Sequence, residues 1–183
     1  MNIHTKQNFE EKIRLILIES VSSLEDDFEL MLRKHAADGM TRSGQTIKAT
    51  MNMIADLTEK LYSDIMYYVD VLNLKYFSTI EADISTLALN AQEKLKIETI
   101  AKLQKSTEIA GNPNLFKRML TDVEVDMVNK LATFQNNLNA KVIELKQNTE
   151  KSPFEKFLWV IEFIVLAISL FISGMWFNDP QGN

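Results

Sequence analysis

The chain has 183 residues, 46% hydrophobic and 25% charged, with a net charge of −5. That balance describes one folded domain rather than a disordered chain, and interspersed acids and bases exclude a general nucleic-acid partner. The absence of cysteine removes disulfides, thiolate nucleophiles and zinc–thiolate centres, while five Gly and three Pro signal few turns and favour long helices.

The opening stretch, MNIHTKQNFEEKIR, carries both charge signs ahead of any apolar run and does not read as a secretory signal. Asn8 and Glu11 are spaced as a capping box for a first helix, with Ile13, Leu17, Val21, Leu24, Phe28 and Leu32 along one face. Asp38-Gly39 is the expected stop. The stretch from Gly39 to Thr46, GMTRSGQT, has the glycine spacing of a phosphate-binding loop, but Gln45 stands where the loop requires lysine. A helix rather than a strand precedes it, so the simpler reading is a connection followed by a helix capped by Ser43 or Thr41. Thr41, Arg42, Ser43 and Lys48 form a candidate contact patch, where helix-start N–H groups and two cations would attract an anion or an acidic partner.

A second helical pattern starts near Gly44 and uses Ile47, Met51, Ile54, Leu61, Ile65, Tyr68 and Leu72. It continues through Tyr76, Ile80, Ile84, Leu87, Ala91 and Leu95 until Gly111-Asn-Pro-Asn114 interrupts it. Ser78 and Glu81 read as another capping box, and a break near 75–78 gives four helices of roughly 45–57 Å. Four matched helices with short connections make an all-α, antiparallel up-down-up-down bundle. The alternative is one unbroken central helix of roughly 100 Å, with the first and last helices packed against its halves. The last pattern runs through Phe116, Leu120, Val123, Met127, Leu131, Phe134, Leu138, Val142 and Leu145, and its heptad-like spacing also suits a coiled coil. His4 and His35 are the only histidines, Glu25-Asp26-Asp27 lacks calcium-loop spacing, and no nucleophile elbow is present. No metal, cofactor or catalytic residue is therefore expected, and the chain does not read as an enzyme.

The segment Phe157–Phe177 has 21 residues, of which only Glu162, Ser169, Ser173 and Gly174 are not apolar. About 20 residues of helix cross a bilayer core, so a C-terminal transmembrane helix is expected here. Ser152, Pro153 and Glu155 supply a helix start upstream. The sequence divides accordingly into a bundle domain at 1–150, a juxtamembrane hinge at 151–156, the membrane helix at 157–177 and a polar tail at 178–183. Trp159 and Trp176 sit where interface belts form, with Lys151 and Lys156 as further interface anchors. Lysines precede the segment and none follows, which places the N-terminal domain in the cytoplasm of a single-pass, tail-anchored protein. A bacterial inner membrane is favoured over a eukaryotic tail-anchored destination. Glu162 costs ~2.5–3.5 kcal/mol at mid-membrane and less near an interface. With Ser169 and Ser173 it forms one helical stripe, a candidate surface for association between membrane helices. The expected protein is a scaffold or assembly module that contacts the lipid bilayer, self-associates and binds a further protein. A membrane-perturbing, toxin-like or holin-like pore former is the alternative.

Overall fold

The computed structural model describes residues 3–72, 74 and 76–177, with side chains throughout except at residues 3, 150–156, 159 and 170–177. Among them the fold is all-helical: α1 Ile3–Ala37, α2 Gly44–Val71, α3 Ile80–Ile109, a 3-10 turn Pro113–Leu115 and α4 Phe116–Phe177. The chain forms two compact units, Met1–Val142 and Ile143–Asn183. The first unit is the bundle.

Side-chain pairs along its length fix the helix directions. Lys60 of α2 lies 3.6 Å from Glu19, and His35 of α1 reaches Thr46, so α1 and α2 are antiparallel. Lys6 pairs with Asp83 and Glu25 with Lys102, so α1 and α3 run parallel. Lys130 meets Glu59 and Lys141 meets Asp70, each at 2.9 Å, so α4 runs parallel to α2. This is the up-down-up-down order. The connection between Val71 and Ile80 breaks the middle pattern, and the single 100 Å central helix is excluded.

The wide buried faces belong to α2 and α3. Ile54, Leu61 and Ile65 of α2 and Ile84, Ala88, Leu95 and Leu103 of α3 are sealed from solvent. At one end Ile47, Ile54, Leu103, Ala110, Val123 and Met127 pack together, with Phe116 and Leu120 against them. The connections 38–43 and 110–115 therefore share that end of the bundle.

Both helices that arrive there stop in the same way. Gly39 has φ 68° and Gly111 φ 74°, the left-handed conformation that glycine adopts without steric cost. The Met40 N–H donates to the His35 carbonyl and the Gly39 N–H to Ala36; Asn112 and Gly111 repeat this pattern onto Thr107 and Glu108. Each is a Schellman closure, which satisfies carbonyls that the helix end would otherwise orphan.

Three local expectations are corrected. First, α1 is already helical at Ile3, because nothing before Asn8 breaks it, so Asn8 and Glu11 lie inside the helix. Glu11 instead accepts two hydrogen bonds from Arg14, which hold its carboxyl below the ordinary range. Second, the buried stripe of α1 is Phe9, Ile13, Ile16, Ser20, Leu24, Phe28 and His35, and Leu17, Val21 and Leu32 are only half-buried. Third, Thr79 rather than Ser78 borders α3, and its hydroxyl donates to the Asp83 carboxylate instead of capping the backbone. In α4 the helical backbone continues through 151–156, so the helix containing Ser152-Pro153 starts at Phe116. The capping side chains of Ser152 and Glu155 lie outside the described residues.

Candidate functional site

Two regions were legible as candidates, the 41–48 patch and the apolar C-terminal segment. In the patch, Ser43 caps α2 with extended backbone. Its Oγ accepts from the Gln45 N–H at 3.2 Å and donates to the Met40 carbonyl at 2.6 Å. The Thr46 hydroxyl turns inward, fully buried, and reaches the carbonyls of Met40 at 3.2 Å and Thr41 at 3.0 Å. His35 Nδ1 lies 2.9 Å from the same oxygen. The Thr46 hydroxyl and His35 Nδ1 share one hydrogen bond, whose direction follows the tautomer of the ring.

This geometry settles the phosphate-loop resemblance. The threonine that would approach a bound cation is spent inside the fold, and the Gln45 N–H that would face a phosphate is spent on Ser43. Arg42 and Lys48 are exposed, Thr41 is half-buried and contributes its carbonyl, and Ser43 serves as a cap. The structure brings these four residues to one end of the bundle. The His35–Thr46 lock left no mark in the sequence, since its partners are 11 residues apart and belong to different helices.

Elsewhere the bundle's polar groups serve the fold. Tyr62 donates to Gln92 at 2.6 Å and stacks on Phe134 with ring centroids 4.9 Å apart. Burial pushes its phenol well above the ordinary tyrosine value, with Glu93 adding to the effect. Thr50, Thr58, Thr99, Ser106 and Thr107 are buried and return their hydroxyl protons to carbonyls of their own helices. Among the described residues no buried side-chain polar atom lacks a partner, and no group of three His, Cys, Asp or Glu is placed to hold a metal ion.

The C-terminal segment is the unusual surface. Phe157, Leu158, Val160, Ile161, the run from Phe163 to Leu166 and Ile168 are all exposed, Phe163 by 69%. They occupy every side of the helix. Glu162 and Ser169 are exposed among them, seven residues apart, and the Ser169 hydroxyl donates to the Val165 carbonyl at 2.8 Å. Among the described residues no helix is long and apolar enough to cross a membrane. The side chains of Ser173, Trp159, Trp176, Lys151 and Lys156 lie outside the described residues. No family model, curated protein or solved structure matches the chain.

Proposed function

We propose that the chain is a non-enzymatic, membrane-anchored scaffold whose bundle, Met1–Val142, is held at a bilayer by residues 157–177. One observation carries the reading: a helix apolar on every side from Phe157 to Ile168 and exposed throughout its described length. Such a surface is stable in lipid or buried among other helices, not in water. The sequence supports the length, because the apolar run continues through Phe177 to 21 residues. Lys141, Lys146, Lys151 and Lys156 on the bundle side of the run support a cytoplasmic bundle.

The segment is also proposed as a self-association surface, with Glu162, Ser169 and Ser173 on its contact stripe and a further protein engaging the bundle. Carbonate washing followed by vesicle flotation tests the anchor. The chain should float with the lipid after the wash; recovery of intact chain in the wash would overturn the reading. Release of a trapped dye from vesicles carrying the bound chain would instead support a pore former.

A further inference from the structure

A second apolar surface lies on the bundle between α1 and α3. Leu17, Ile18 and Val21 of α1 and Ile97 of α3 line one groove, with Lys94 and Glu98 on its rim. Ile97 is 68% exposed and Ile18 52%. Both rim charges are exposed.

The two helices share a register that gives this face a definite symmetry. Glu25 meets Lys102, 77 residues further on, and Lys6 meets Asp83 at the same offset. That offset sets Leu17 level with Lys94, and Val21 level with Glu98. The midpoint of each pair, residue 19 on α1 and residue 96 on α3, lies at one height along the bundle.

We propose that this face binds the same face of a second copy of the chain, antiparallel, across a two-fold axis at the level of residues 19 and 96. Such an axis sets Lys94 against the partner's Glu98 and Glu98 against the partner's Lys94. It also carries Leu17 onto the partner's Val21. Rim charges and apolar centre are satisfied by one operation, as an isologous interface requires. The two copies of Ile97 meet within a turn of each other at the centre. A parallel pairing fails on the same register, because crossing α3 over the second copy's α1 presses Lys94 onto the partner's Leu17 and Glu98 onto the partner's Val21. Both charges would then be desolvated without a counter-charge. This association uses the bundle alone and stands or falls separately from the membrane anchor.

A charge exchange in the full chain, in detergent micelles, tests it. Lys94→Glu puts a carboxylate against the partner's Glu98 at both rims, and Glu98→Lys puts an ammonium group against the partner's Lys94. Each alone should weaken self-association about tenfold. Mixed in equal amounts, the two variants restore opposite charges at both rims and should pair as strongly as the wild type. Self-association unchanged in either single variant, or no recovery on mixing, would overturn the proposal. Ile97→Cys supplies a second readout in a chain without other cysteine. It should give an interchain disulfide that Lys94→Glu suppresses, whereas a disulfide that fails to form, or that forms regardless of the charge at position 94, would count against this interface. Association through residues 157–177 alone would survive every one of these changes.

Discussion

Two glycines and one threonine hold the shared end of the bundle. An added Cβ at Gly39 or Gly111 meets no neighbouring atom, so any penalty for substitution comes from the backbone, held at φ 68° and 74°. Gly39→Ala and Gly111→Ala should therefore each cost about 1 kcal/mol in chemical denaturation. Gly44 is equally open but lies at the start of α2 outside the left-handed region, so Gly44→Ala should equal or exceed the wild type, by up to about 1 kcal/mol. Thr46 presents a different balance. Thr46→Val keeps the shape but leaves His35 Nδ1 and the Met40 and Thr41 carbonyls without their shared partner. The expected loss is about 1–3 kcal/mol, with Thr46→Ser recovering most of it.

At the scale of elements, the apolar period announced four helices, and the two Schellman glycines announced where α1 and α3 stop. The break between α2 and α3 was less visible, because its residues carry neither Gly nor Pro and Leu74 within it is buried like a helix residue. The α1 face was misplaced by a fraction of a turn for a similar reason. Ile16 and Ser20 sit inside, and a buried serine that bonds to its own helix, here to the Ile16 carbonyl, carries no apolar signal. The buried Thr and Ser residues of α2 and α3 are invisible to a hydrophobic count in the same way. Tyr62 joins three helices by bonding to Gln92 of α3 and stacking on Phe134 of α4. Tyr62→Phe should cost about 1–2 kcal/mol, and adding Gln92→Leu should return part of it by removing the acceptor left unpaired. The phenol also couples folding to alkaline pH. The unfolded chain releases this proton near the ordinary value of 10.0, whereas burial keeps it on the folded chain. Above that pH the unfolded state binds fewer protons, so stability falls as pH rises towards the folded value. Denaturation midpoints measured from pH 8 to 11 should show that fall, and Tyr62→Phe should flatten it.

For the whole molecule, the proposed anchor rests on the insertion free energy of residues 157–177. The segment contains thirteen Leu, Ile, Val and Phe residues. At about −0.3 to −0.6 kcal/mol each, they favour the bilayer by roughly 4–8 kcal/mol. Glu162 offsets part of this, by less than the ~2.5–3.5 kcal/mol of a central charge because it lies near one end of the run. The remaining margin is a few kcal/mol, which two more central charges exceed. Ile164→Lys with Leu166→Lys costs about 5–7 kcal/mol and removes two favourable residues. The doubly substituted chain should leave the floated lipid fraction, while Ile164→Ala with Leu166→Ala should stay in it. Both substitutions lie outside the bundle unit, so the helical signal and melting of Met1–Val142 should be the same in the two variants. If the lysine pair instead remained with lipid while the bundle stayed folded, attachment would have to come from the bundle surface, and the apolar helix would need a protein partner to cover it.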